Sequence, residues 1–225
     1  MNYTELSNAI QAYTENTETN FVAEIPVFVQ QAEQRIYNSV QFPSIRKNVY
    51  GQVTANNKYL QCPLDFLAVY SLAIVTGVTN NDMNTGTYEY LLNKDVNFIR
   101  QAYPTPNDTG VPKHYALFGP RSDNAAELTF IVGPTPDSAY FTELHYYFYP
   151  ESIVTAGTTW LGDNFDSVLL YGALVEAYTY MKGEQDMMQL YNQKFMEALA
   201  LAKRLGDGME RQDAYRSGQF RQKVT

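Results

Sequence analysis

The residues able to do chemistry in this 225-residue chain are few and scattered. His114 and His145 are its two histidines, and each runs into tyrosine, as His114-Tyr115 and His145-Tyr146-Tyr147. A Ser-His-Asp relay needs a histidine oriented by a carboxylate beside a nucleophile. Neither histidine occurs in a recognised nucleophile motif, so both are expected to be packed or surface-facing strand residues. Asp163 with Asp166, and Glu184 with Asp186, are the carboxylate pairs to set against glycoside hydrolysis, which requires two carboxyls about 5–10 Å apart. Both pairs fall where helices are expected to begin, and capping and the helix dipole already account for acids there. The run Asn80-Asn81-Asp82-Met83-Asn84 is rich in oxygen ligands but lacks the spacing and terminal glutamate of an EF-hand loop. Cys62 stands alone, which excludes an internal disulfide and a cysteine zinc cluster; beside Pro63 it reads as a small buried hydrophobe. No P-loop and no dinucleotide fingerprint follows a strand. The chain is therefore expected to be no enzyme and to hold no catalytic residue, cofactor or metal.

Bulk composition narrows the classes further. Apolar residues make up 45% of the chain, ample for a folded core, while charged residues make up 18%, below the roughly 25% usual for soluble domains. Nineteen tyrosines stand out. Their part-polar rings suit surfaces that are wet in one state and covered in another, and they equally suit the rim of a core. A net charge of −8 disfavours a general electrostatic grip on DNA, although an acidic protein can surround a duplex without holding it. Met1-Asn2-Tyr3-Thr4-Glu5 lacks the basic head and apolar stretch of a secretory signal, and no apolar run approaches the roughly 18 residues of a membrane span. A cytosolic protein with no membrane partner is expected.

The elements that would position these groups change in period along the chain. Leu6, Ala9, Ile10 and Tyr13 share one face of a first helix, with Thr4 as N-cap, and Ile25, Phe28, Val29, Ala32 and Ile36 mark a second, with Pro26 in its first turn. From Phe42-Pro43 the pattern alternates. Val49, Gly51 and Val53 belong to a strand that turns at Ala55-Asn56-Asn57 and returns through Lys58 to Gln61 as a hairpin, and Phe66 to Val75 reads as a strand covered on both faces. A third helix is expected over 87–103, carrying Leu92, Val96, Ile99 and Tyr103, before strands at Lys113 to Phe118, Glu127 to Val132 and Tyr140 to Tyr149. Asp163 or Asn164 then caps a helix from Phe165 to about Lys182 that is apolar on most sides. The last helix presents Met188, Tyr191, Phe195, Ala198, Ala202 and Leu205, and Gly206 and Gly208 end or loosen it.

Helices at both ends with strands between them predict an α+β fold, a helical bundle built from both chain ends with an inserted antiparallel β-rich domain. The boundaries are 1–41 with 151–208 for the bundle, 42–150 for the insertion and 209–225 for an extended C-terminal tail. The tail sets Arg211, Arg216, Arg221 and Lys223 against Glu210 and Asp213, a net +2 on an acidic chain. With few apolar anchors it is expected to order on a partner.

Three segments in order, Pro63-Leu64-Asp65-Phe66-Leu67-Ala68-Val69-Tyr70-Ser71-Leu72, Asn97-Phe98-Ile99-Arg100-Gln101-Ala102-Tyr103-Pro104 and Gly110-Val111-Pro112-Lys113-His114-Tyr115-Ala116, resemble the adaptor, or head-to-tail connector, proteins of tailed bacteriophages. The resemblance extends to the N-terminal helices and to the helix pair of Asp163 to Lys203, including Tyr171-Gly172-Ala173-Leu174-Val175-Glu176-Ala177-Tyr178. No single motif is specific; the weight lies in their order. The resemblance implies a structural virion protein of the neck, a homo-oligomeric ring commonly of twelve copies beneath the portal protein, offering a surface to tail or nozzle proteins and passing DNA through its channel without sequence-specific binding. It also implies portal contact by the tail, for which Arg211, Tyr215, Arg216, Phe220, Arg221 and Lys223 are the candidates. A stopper or tail-tube protein of the same neck is the alternative from the same particle. A carbohydrate-binding or glycan-cleaving module, suggested by the Tyr-rich strands, is the alternative from another class.

Overall fold

The computed structural model describes residues 1–214 apart from 41, 106, 122 and 123. The chain is mixed α and β and divides into two compact units, one of Met1–Ile45 with Tyr149–Thr225 and one of Arg46–Phe148.

In the first unit, helix α1 (Tyr3–Thr14) buries Leu6 and Ile10. Its N-cap is Asn2 rather than Thr4: the Asn2 side chain accepts the Glu5 N–H and the Glu5 carboxylate accepts the Asn2 N–H, a reciprocal pair that Thr4 could not form within the first turn. Helix α2 (Thr19–Ser39) starts seven residues before Pro26, so the proline lies inside it rather than in its first turn. The early start places Phe21 against Phe28 and Tyr180, ring centroids 5.8 and 6.4 Å apart. Burying a ring of this size stabilises by about 1.5–3 kcal/mol, which offsets the one helical hydrogen bond that an interior proline forgoes.

Two short helices follow the return of the chain, α4 (Ile153–Ala156) and α5 (Trp160–Asn164), then α6 (Asp166–Met181) and α7 (Gln185–Ala214). Asp163 and Asn164 lie inside α5 and do not cap α6, whose N-cap position is Phe165 without a side-chain hydrogen bond. Phe165 instead packs on Phe42 and Trp160, at 5.4 and 5.5 Å. Helix α6 buries residues on most of its circumference because α2 and α7 flank it. At Gly172 a Cβ would stand 3.1 Å from both the Ala32 methyl and the Phe195 ring, so the missing side chain sets the approach of all three helices. Helix α7 continues past Gly206 and Gly208 to Ala214, through the start of the segment expected to be extended.

Among its described residues the second unit holds two four-stranded sheets, one α-helix and a 3-10 turn at Met83–Thr85. Sheet A, in the order β1 (Arg46–Val53), β8 (Tyr140–Tyr147), β3 (Ala68–Thr76), β4 (Thr87–Tyr90), is antiparallel throughout. Sheet B runs β2 (Tyr59–Gln61), β7 (Asn124–Gly133), β6 (His114–Arg121), β5 (Leu92–Asn93), with β5 and β6 parallel. The shared core includes Val53, Cys62, Phe66, Leu72, Ile74, Tyr115, Phe130, Val132, Leu144 and Tyr146. Helix α3 (Val96–Ala102) covers the other face of sheet B, where Ile99 packs with Ala116 and Ile131.

Three expectations are corrected here. The turn after β1 forms, with the Asn57 N–H donating to the Thr54 carbonyl and Asn56 at a φ of 60°, but no hairpin results. Strand β1 pairs along its whole length with β8, and β2 joins β7 in the other sheet. The helix expected over 87–103 is confined to Val96–Ala102: Thr87–Tyr90 pairs with β3, and the Asp95 carboxylate starts the helix by accepting the Phe98 N–H at 2.7 Å. Strand β3 is buried only in its second half, Leu72 to Val75, while Leu64 and Leu67 before it and Tyr70 within it are exposed.

Candidate interaction surfaces

The sequence candidates within the described residues take the following positions. His114, on β6, accepts or donates one hydrogen bond with the Tyr103 hydroxyl at 3.0 Å, and the Phe98 ring meets it edge-on at 5.3 Å. Partial burial lowers its pKa, and the ammonium groups of Lys94 and Lys113 add to the effect. His145, on β8, places Nε2 3.6 Å from the Glu143 carboxylate. Asp166 and Asp186 lie in the first turns of α6 and α7. The Asp82 carboxylate accepts the backbone and side-chain N–H groups of Asn84, so the polar loop is closed on itself. Cys62 is buried, and burial pushes its thiol up to about 12. Among the described residues no group of three or more His, Cys, Asp or Glu is placed to hold a metal, and no helix is long and apolar enough to cross a membrane. Of the tail candidates, Arg211 lies in the last turns of α7, whereas Tyr215, Arg216, Phe220, Arg221 and Lys223 lie outside the described residues.

Strand alternation gives sheet A an outer face opposite the shared core. Registered pairs put Arg46 beside Tyr147, Asn48 beside His145 and Tyr50 beside Glu143, with Tyr90 completing the row across β3. The Arg46 guanidinium lies over the Tyr70 ring at 4.4 Å and near the Tyr147 ring at 5.6 Å. The Asn48 amide donates to the Glu143 carboxylate at 2.5 Å. Tyr50, Tyr70 and Tyr90 are exposed around this network, so the tyrosine excess is spent partly on open surface and not only on the core rim. Rings held in place by a charged network are rigid, amphipathic contact area, the kind enriched at protein interfaces.

Beneath that face the network reaches the core. Lys47 donates to one Asp65 oxygen and the Tyr146 hydroxyl to the other, each at 2.8 Å. Burial works to raise the Asp65 pKa, and these two donors outweigh it, holding the carboxyl below its usual range. Asp65 thereby ties the run before β3 to β1 and β8. The recognisable Pro63 to Leu72 stretch is thus anchored to the sheet framework through Asp65.

On the opposite side of the unit, α3 and the outer face of sheet B carry cations over rings. The Lys94 ammonium lies 5.3 Å from the Phe98 ring, the Arg100 guanidinium 5.5 Å from Phe118 and the Lys58 ammonium 5.8 Å from Tyr59, and the Tyr59 and Phe118 rings meet each other at 5.5 Å. Leu92 and Phe98 are exposed among them. Sequence reading missed this surface because its members are dispersed over 58–118 and converge only through the β2–β7–β6–β5 order.

Both faces present exposed rings beside charged groups, and among the described residues neither brings together the acid, base and nucleophile of a reaction centre. No curated protein matches the chain. The family model for the SU10 adaptor protein matches residues 1–222, nearly the whole sequence, and the chain belongs to that adaptor family of phage structural proteins.

Proposed function

We propose that the protein assembles as a ring beneath the phage portal, joins the capsid to the tail and extends the channel through which DNA leaves. The observation that carries this reading is the family match over residues 1–222, which spans both units and the tail rather than one module. The two rigid aromatic faces of the β unit support it, because a connector needs several separate contact surfaces on one small chain. The helices of both chain ends form the bundle of the ring body, and twelve copies are the expected number. The net charge of −8 lets DNA pass without a sequence-specific hold, since like charge keeps the phosphates from condensing on the protein.

The C-terminal segment is the portal-binding element in this reading, with Arg211, Tyr215, Arg216, Phe220, Arg221 and Lys223 as its contacts. Deleting 209–225 is expected to abolish co-sedimentation with the portal protein while lowering the helical dichroism only by the last α7 turns it removes and leaving the melting temperature of the body unchanged. A truncated chain that docks as well as the full one removes the tail from this role.

A further inference from the structure

The charges of the two units are distributed in a way that the net −8 conceals. Residues 1–45 and 149–208 contain five Lys or Arg against thirteen Asp or Glu, so the helical unit without the tail carries −8 by itself. On the β unit, Lys58, Lys94, Arg100 and Lys113 gather around α3 and the strands beneath it. Among the described residues none of the four has an ion-pair partner, although Lys47 elsewhere in the same unit is matched to Asp65 and Arg35 in the helical unit to Glu176. The Asp95 carboxylate, which lies next to Lys94 in the chain, is committed to the α3 N-cap. Three of the cations, Lys94, Arg100 and Lys113, are exposed, and they surround apolar area from Leu92 and Phe98, which are 61% and 37% exposed. Apolar area with a charged rim is the composition of a protein contact.

We infer that this α3 face is the surface by which one copy of the chain grips the acidic helical unit of the next. The contact joins two different surfaces, as a ring requires, and not one surface with itself. It deepens the proposed ring and rests on that reading for its geometric closure, but the surface and its occupant follow from charge and exposure. A second copy is favoured over nucleic acid because each copy brings an excess of eight negative charges to any DNA it approaches. Holding Lys94 and Arg100 over rings fixes their heads before contact, which lowers the ordering cost of the pair they form with a neighbour's carboxylates. Neutralising these cations between copies also keeps them from the DNA.

The test uses the full chain. Sedimentation velocity at about 100 μM should show self-association in about 50 mM salt that weakens at least about tenfold in 500 mM, where the Debye length falls to a few ångströms. The triple variant Lys94→Glu, Arg100→Glu, Lys113→Glu should lose that association with an unchanged melting temperature. As a second measurement that does not depend on the triple variant folding, benzoylphenylalanine placed at Phe98 should cross-link, in mixtures of isotope-labelled and unlabelled chains, to residues within 1–45 or 149–208 of another copy. A triple variant that associates like the natural chain, association indifferent to salt, cross-links confined to the β unit, or loss of duplex DNA binding with association intact would each overturn the inference. If the chain fails to bind portal while its salt-sensitive association is still lost in the triple variant, the adaptor ring reading falls and this surface stands.

Discussion

On the outer face of sheet A a carboxylate sits among the polar groups, Glu143 accepting from Asn48 and lying 3.6 Å from His145, while Arg46 lies over the Tyr70 and Tyr147 rings. On the α3 face of sheet B, Lys94 and Arg100 meet aromatic rings and, among the described residues, no carboxylate. The two faces are the outer sides of one pair of sheets and share the Phe130, Tyr146 and Leu144 core. A face that already carries a carboxylate contributes shape and rigid rings to a contact, and gains less from an acidic partner. A face with unmatched cations gains most from an acidic partner. On the proposed reading, the first suits contacts selected by shape and the second contacts selected by charge.

The comparison can be broken at the core the faces share. Phe130 is fully buried, with the Phe66 and Tyr115 rings edge-on to it at 5.5 and 5.7 Å. Phe130→Ala should cost about 3–5 kcal/mol and disorder both faces together, read as a lowered denaturant midpoint with loss of near-ultraviolet dichroism. Gly133→Ala should act on one face only. Its Cβ would come within 2.5 Å of the Tyr103 ring and 3.0 Å of Ile99, forcing α3 off sheet B at about 1–3 kcal/mol. Hydrogen exchange should then rise in Val96–Ala102 and not in β1 or β8. Glu143→Ala should do the reverse at about 1 kcal/mol, because the exposed Asn48 amide it leaves behind is taken up by water.

The smallest effect separates the faces by pH. The folded pKa of His114 lies below its ordinary 6.5, so the unfolded chain binds the proton more readily. The contribution of His114 to stability is therefore complete above that value and is lost as pH falls through the folded pKa. Replacing Lys94 with glutamine should raise the pKa seen in the His114 imidazole resonances and reduce the acid loss, and should leave Glu143→Ala thermodynamics unchanged.

What was legible in the sequence is what depends on local pattern. The stripe of Ile25, Phe28, Val29, Ala32 and Ile36, the strands around His114 and Tyr140, and the burial of Cys62 all follow from period or composition. Elements decided by distant pairing were not legible. The Ala55-Asn56-Asn57 turn has the chemistry of a hairpin, yet β1 finds a longer partner in β8, nearly a hundred residues away, and β2 is taken by β7. Thr87–Tyr90 satisfies a helical spacing on paper, but its Thr and Tyr side chains suit the edge of a sheet and β3 is there to receive them. The cation surface of α3 failed to show for the same reason: Lys58, Lys94, Arg100 and Lys113 have no sequence spacing in common. The family, in contrast, was legible from the order of segments alone, although those segments turned out to be framework.

The most direct test of the central claim is single-particle imaging of the purified full chain mixed with its portal protein. The account predicts a closed ring of copies docked on the portal around an open axial channel. Portal particles that remain bare at saturating chain concentration would contradict it.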